Sequence, residues 1–206
     1  MFLMIVGTGA MGEVVRQCAQ EDPFFDRIIS VEPTENRWPE DKADLIIDFS
    51  HPKAIKGIYE YCHEKGGNIP VVIGTTGQTG EDEEMIKLLG KICPVDRKAN
   101  YSRGIGAVSQ IAPEVSALLP GSDIAIEEIH HNKKKDAPSG TAKTLCDILH
   151  VTYSSAVSMR IGTVPGEHRI CFALEDEVIE IIHRAFSKKI FAIGAIEAGK
   201  SMVCVK

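Results

Sequence analysis

The sequence predicts an α/β protein: a Rossmann-type doubly wound parallel sheet followed by a second, smaller α+β domain. Three observations carry this reading. Strand-like and helix-like segments alternate through the first hundred residues with short connections, as parallel sheets require. A G-x-G-x-x-G turn, "GTGAMG" (7–12), lies between the first strand and the first helix. After "KANYSRGIG" (98–106) the pattern changes to a few helices and several strands with hairpin spacing.

Each element has its own signal. "FLMIV" (2–6) is a continuous apolar run stopped by glycine, the mark of a strand buried on both faces. "EVVRQCAQ" (13–20) follows as a helix. "RIISV" (27–31), "ADLIIDF" (43–49) and "IPVVIG" (69–74) are the next strands. "PKAIKGIYEYCHEK" (52–65) puts Ala54, Ile58, Tyr61 and Cys62 on one helical face, with Pro52 in the first turn. "EDEEMIKLLGKI" (81–92) opens with acids that favour a helix N-terminus. Beyond the change of character, "AVSQIAPEVSALL" (107–119) predicts a helix bent near Pro113. "DIAIEEIHH" (123–131) is a strand, and "TAKTLCDILH" (141–150) a helix. "AVSMRIG" (156–162), "HRICFAL" (168–174) and "VIEIIHRAF" (178–186) are strands, the last two joined through 175–177. A final helix over 188–205 returns the chain to the first domain. The domains are thus 1–103, completed by 188–206, and 104–187.

Composition narrows the function classes. The 206 residues carry 44% hydrophobic and 25% charged residues, as an ordinary globular protein does. A net charge of −6 disfavours a general nucleic-acid binder. No run approaches the roughly 20 apolar residues of a membrane span. The six cysteines form no C-x-x-C pair, which argues against structural zinc and a disulfide framework and for reduced thiols in the cytoplasm.

The glycine turn predicts dinucleotide binding. Gly7 makes the tight turn, Gly9 lets a pyrophosphate approach the backbone, Gly12 packs helix on strand, and Thr8, Ala10 and Met11 complete the loop. Glu32 ends the second strand about twenty positions later, where a ribose-binding acid is expected. Its carboxylate would accept from both ribose hydroxyls of NADH and repel a 2′-phosphate, so NADH is favoured over NADPH. Arg37 is the nearest cation in sequence. "GTTG" (74–77) stands at the carboxyl end of the fourth strand, so Gly74, Thr75 and Thr76 border the nicotinamide; "DFS" (48–50) ends the third strand on the same edge.

"EEIHHNKKKDAPSGTA" (127–142) gathers cations beside a Ser-Gly-Thr turn in an acidic chain. A lysine run alone reads as solvated surface, and a lone histidine as a packing residue. The following "DAPSGTA" alters that balance. Asp136 or Ser139 can cap a helix, and the N–H groups of Gly140 and Thr141 with the Thr141 hydroxyl make a carboxylate-sized site. Two imidazoles and an ammonium added to it suit a small molecule with more than one negative charge. If the strand runs through both, His130 and His131 point to opposite faces. A neutral-range histidine suits protonation of the electron pair that hydride addition releases, and a lysine can hold a carboxylate or pass on a proton. No metal is expected.

These residues resemble the dihydrodipicolinate reductase (4-hydroxy-tetrahydrodipicolinate reductase) family of bacterial lysine biosynthesis. "EEIHHNKKKDAPSGTA" resembles its long signature, and "DFSHP", "GTTG", "ANYSRGIG", "VPGEH" and "HRAFSKKIFAIGA" resemble its other motifs in order, over nearly the whole chain. The resemblance implies an NADH- or NADPH-dependent reduction of a cyclic imine dicarboxylate with loss of water. It implies His130 as general acid and Lys134 as a second proton-transfer or substrate-holding residue. His131, Gly140 and Thr141 would bind the dicarboxylate. Gly7–Gly12, Glu32, Gly74–Thr76 and Ala99, Asn100 and Tyr101 would bind the cofactor. It further implies a homotetramer formed through the second domain's sheet, which makes that domain one for substrate binding and oligomerisation. Three departures stand out. The glycine loop is one residue shorter than the family's G-x-x-G-x-x-G, Tyr101 stands where Phe or Met is commoner, and less chain follows the last helix than in many relatives. The last implies a looser first domain or altered assembly. The rival readings are another small amino-acid dehydrogenase, such as an aspartate dehydrogenase, and a nucleotide-sensing module with a dead site.

Overall fold

The computed structural model describes residues 1–204. The chain divides into two compact units, Met1–Tyr101 with Phe191 onward, and Ser102–Ile190. In the first unit five parallel strands take the order β2-β1-β3-β4-β5: β1 Phe2–Val6, β2 Arg27–Val31, β3 Leu45–Asp48, β4 Val71–Ile73 and β5 Val95–Arg97. The order reverses between β1 and β3, and at such a switch point the carboxyl ends of the strands diverge and leave a crevice.

The period-two alternation of a strand explains both layers. On one face Met4, Val6, Ile46, Val71 and Ile73 pack with α2 (Ala54–Glu64) and α3 (Glu81–Ile92) through Ile58, Tyr61 and Leu89. On the other, Leu3, Ile5, Leu45, Ile47 and Val72 pack with Val15 and Ala19 of α1 (Ala10–Gln20) and with Ala192, Ala195 and Ile196 of α6 (Lys189–Cys204). A sheet covered on both faces is the doubly wound arrangement the sequence predicts. Residues 205 and 206, to which the expected last helix and first domain extend, lie outside the described residues. Among the described residues no helix is long and apolar enough to cross a membrane.

The second unit holds a four-stranded mixed sheet ordered β7-β6-β8-β9: β6 Asp123–His130, β7 Ala156–Arg160, β8 Gly166–Ala173 and β9 Val178–Ala185. β6 pairs parallel with β7 and antiparallel with β8, and β8 pairs antiparallel with β9. One face is covered by α4 (Arg103–Leu118) and α5 (Gly140–Ile148), through Val108, Ala112, Leu145 and Cys146 against Ile126, Ile170 and Phe172. On the opposite face Val157, Met159, Val178 and Ile182 are exposed.

Two sequence expectations change here. β5 was not expected: it is three residues long with one apolar side chain. The expected strand through His131 stops at His130, so the paired histidines are not two faces of one strand.

Candidate active site

At the carboxyl edge of the first unit, Gly7 leaves β1 with φ +107°. An added Cβ there would lie 2.5 Å from the Phe49 carbonyl oxygen, and one on Gly12 would lie 1.9 Å from the Gly7 carbonyl oxygen. Gly9 is different: it opens α1 without a side-chain cap, and its Cβ would meet no atom within 4 Å. The opening amides at Ala10 and Met11 thus lie beside clear space, the cradle that suits a pyrophosphate. The Thr8 hydroxyl donates to Glu32 at 2.6 Å, and Thr34 adds its hydroxyl (3.1 Å) and N–H (3.4 Å) to the same carboxylate. These bonds, the one from Thr8 first, hold Glu32 below the ordinary carboxylate range, so it stays ionised.

Beyond Glu32 lies a cavity of about 640 Å³ lined by Thr34, Trp38, His51, Lys53, Lys56 and Glu60, among others. Arg37, the cation nearest in sequence, is instead exposed and lies 4.0 Å from Glu35. The cations at this cavity come from the segment after β3, which spacing from Glu32 could not reveal.

At the ends of β3 and β4 the Ser50 N–H donates to Thr75 Oγ1 at 2.8 Å and to Asp48 at 3.1 Å, and the Ser50 hydroxyl donates to Asp48 in a short contact. Burial pushes the Asp48 carboxyl up to about 6. Thr75 is buried in this network while Thr76 is exposed. Gly74 lies against Phe49, whose ring would come to 2.2 Å from a Cβ there and would have to shift. Of the run after β5, Ala99 is exposed and Asn100 half-buried. The Tyr101 ring is buried edge-on to Phe49, its hydroxyl donating to the Asp96 carbonyl at 2.8 Å. Its side chain therefore anchors the core, and its carbonyl oxygen lies against Gly194, where an added Cβ would come to 1.8 Å.

In the second unit the strand register builds the other half of the chemistry. Glu128 and His130 share one face of β6 by the i, i+2 rule. Pairing sets His130 beside Arg160 of β7, and Glu128 beside His168 of β8. Glu128 has no exposed surface. Its carboxylate takes a short contact from His130 Nδ1, two bonds from Arg160 (2.9 and 2.7 Å) and the Ser139 N–H at 3.2 Å. Burial alone would raise its pKa; the bonds from His130 and Arg160 outweigh that and hold it far below the usual range.

The loop after β6 carries the remaining groups. His131 is half-buried, and its Nδ1 has no hydrogen-bond partner among the described residues. Burial, then the neighbouring Lys188, His130, Lys134 and Arg160, lower its pKa, so it is neutral near pH 7. Lys134 pairs with Asp136 at 2.8 Å. Asp136 does not cap α5; Ser139 does, accepting from the Ala142 N–H at 3.2 Å. Burial would raise the Asp136 pKa; the bond and charge of Lys134 outweigh it and lower it. Thr141 is buried in the first turn of α5.

Glu128, Arg160, His168 and Lys188 were absent from the expected site. Parity offered a signal for the first: in "IEEIH", Ile126, Glu128 and His130 share a face, so an acid must point inward. Nothing in the sequence tells that Arg160 and His168 lie on neighbouring strands in register.

His168 is 2% exposed. Burial, reinforced by His130, pushes its pKa from 6.5 down to about 3. The unfolded chain therefore binds a proton between these values that the folded chain refuses, and stability falls as pH drops from 6.5 towards 3. The expected loss over the whole interval is on the order of 3 to 4 kcal/mol. Denaturant titrations at pH 7 and pH 5 check it: the midpoint should fall at pH 5 in the wild type and fall less in His168→Asn.

Comparison with known proteins adds to this geometry. Residues 1–101 match the family described as "Dihydrodipicolinate reductase, N-terminus", and residues 104–205 match "Dihydrodipicolinate reductase, C-terminus". A 4-hydroxy-tetrahydrodipicolinate reductase of Thermosipho africanus is 40% identical over 192 residues, covering 93% of this chain and 86% of that relative. One from Staphylococcus saprophyticus is 36% identical over 232 residues, covering 98% and 95%. Among solved structures, a dipicolinate-bound dihydrodipicolinate reductase from Paenisporosarcina aligns with a TM-score of 0.74 at 20% identity, covering 100% and 96%. An aspartate dehydrogenase from Thermotoga maritima aligns at 0.54 and 13% identity, covering 98% and 96%, a likeness of fold alone.

Proposed function

The chain belongs to the dihydrodipicolinate reductase family, and from that premise we propose how its residues divide the reaction. It is an oxidoreductase that uses a pyridine nucleotide to reduce 4-hydroxy-tetrahydrodipicolinate to tetrahydrodipicolinate with loss of water, a step of lysine biosynthesis through diaminopimelate. When bound, the reduced nicotinamide supplies a hydride to an electrophilic carbon of the conjugated imine.

The first unit holds the cofactor. The amides after Gly9 take the pyrophosphate, with Gly7, Thr8, Ala10, Met11 and Gly12 forming the cradle. Glu32 takes the ribose hydroxyls, the Trp38 cavity the adenine, and Gly74, Thr75 and Thr76 with Ala99, Asn100 and the Tyr101 backbone the nicotinamide end. Thr8 and Thr34 keep Glu32 ionised at the ribose position, which supports NADH over NADPH; Lys53 and Lys56 temper that preference. The ratio of kcat/KM for the two cofactors measures it, and a ratio favouring NADPH would contradict it.

The second unit holds the dicarboxylate and moves the proton. Lys134, His131, Gly140 and Thr141 take the two carboxylates. One of them displaces the Asp136 carboxylate from Lys134. His130 then gives its proton to the atom that receives the displaced electron pair. The observation that carries this reading is the buried Glu128 behind His130, with Lys134 and the start of α5 in the same unit.

Thr141→Val should raise the substrate KM about tenfold or more while kcat changes little, because it removes one bond to a charged carboxylate. Steady-state rates at saturating cofactor check this. The exposed apolar face of the second sheet supports a homotetramer; sedimentation as a monomer at assay concentration would contradict that. The six free thiols suit a cytoplasmic location. The reaction itself is tested by following NADH and NADPH oxidation with and without the imine dicarboxylate. Turnover with that compound is the expected result, and turnover only with an amino acid would overturn the reading in favour of an aspartate-dehydrogenase type.

A further inference from the structure

The buried acid behind His130 is itself part of a larger bonded unit. Arg160 donates to both oxygens of Glu128 and, with the same Nη2, to the Asp136 carbonyl at 2.5 Å; its Nη1 also donates to the Met159 carbonyl at 2.8 Å. Glu128 in turn accepts the Ser139 N–H. The two side chains thus grip the loop that carries Lys134 at Asp136 and again at Ser139, one residue before α5. On the other side Glu128 engages His130 Nδ1. That leaves Nε2 as the ring atom able to meet a substrate. Nε2 lies where an added Cβ on Gly166 would come to 3.1 Å, so a side chain at 166 would crowd it.

Resting on the reading of His130 as proton donor, we propose that Glu128 and Arg160 form a positioning pair for the reduction. Glu128 fixes the His130 tautomer and stabilises its imidazolium. Arg160 locks that carboxylate in place and sets the 134–141 loop at the same time.

The groups facing His130 give the pair a signed signature. They are Glu128 on β6, Arg160 on β7, His168 on β8 and His131 in the loop; the Lys134–Asp136 ion pair follows in the same loop. His168 stays neutral near pH 7 and so leaves the acid role uncontested. Of the two acids, Glu128 contacts His130, whereas Asp136 is paired with Lys134. Deleting its charge disfavours the imidazolium; deleting the Arg160 charge favours it.

The test is the pH profile of kcat. Glu128→Gln keeps size but not charge, and turns one acceptor oxygen into a donor nitrogen. It should lower kcat about 10- to 100-fold with KM nearly unchanged, and should move the alkaline limb about one pH unit or more lower. Glu128→Asp should restore the limb towards its wild-type position. Arg160→Gln should move the limb the other way, to higher pH, and it keeps the test alive if Glu128→Gln does not fold. A residue of merely structural importance would change melting temperature or KM without opposite displacements of the limb. An unmoved limb in a folded Glu128→Gln, or displacement of both variants in the same direction, overturns the proposal. His130→Gln separates the two readings. If it keeps wild-type turnover, the proton-donor reading fails and the pair falls with it. If it loses turnover while Glu128→Gln leaves the limb in place, the pair alone is refuted.

Discussion

His130→Gln lowers kcat by a factor of about 10² to 10⁴, the range spanned by loss of a positioned general acid, while KM for the dicarboxylate stays within about threefold. Glutamine cannot carry the proton that hydride addition calls for. The carboxylate contacts proposed above lie elsewhere, on Lys134, His131, Gly140 and Thr141, and should survive the change. The fold should survive too. Glu128, although fully buried, would not be stranded, because both Arg160 bonds and the Ser139 N–H remain on it. Melting temperature, kcat and KM measured on the same preparation check all three statements. A parallel fall in substrate affinity and turnover would show that His130 serves binding rather than proton transfer.

Gly12→Ala is the second large effect, and it acts through packing. The new methyl would lie 1.9 Å from the Gly7 carbonyl oxygen. That atom belongs to the backbone and cannot swing aside as a flexible side chain would. α1 must lift from β1, which costs about 2 to 4 kcal/mol in an otherwise close-packed layer. The lift should also tilt the amides proposed to meet the pyrophosphate. A lowered melting temperature and a cofactor KM raised at least about tenfold are expected. Gly9→Ala is the informative control, since its methyl meets no protein atom within 4 Å. It should change stability by less than about 1 kcal/mol yet still weaken cofactor binding, because the clear space is where the pyrophosphate is proposed to sit. Equal destabilisation by the two substitutions would contradict the assigned division between packing and approach.

The parallel sheet and the strand-rich second unit were legible because their signals are local. An apolar run before glycine, an acid-first helix and a period of two need no knowledge of the rest of the chain. β5 escaped because Val95, Asp96 and Arg97 offer a single apolar side chain; its pairing with β4 is decided by the sheet. In the loop, Asp136 and Ser139 were both chemically able to cap α5. The choice fell on Ser139 because Asp136 is drawn to Lys134. The acid and guanidinium behind His130 could not be assembled from sequence, since 32 positions separate Glu128 from Arg160 and only the β6–β7 register makes them neighbours. Nor could spacing from Glu32 show that cations at the Trp38 cavity come from the segment after β3.

The most direct measurement is a single turnover with enzyme, NADH and the imine dicarboxylate in equal amounts, product being identified by mass spectrometry. The wild type is expected to consume one equivalent of NADH and release tetrahydrodipicolinate. His130→Gln is expected to bind the dicarboxylate with nearly unchanged Kd and to form product at least about a hundredfold more slowly. NADH left intact by the wild type, or equal rates in the two proteins, would contradict the account.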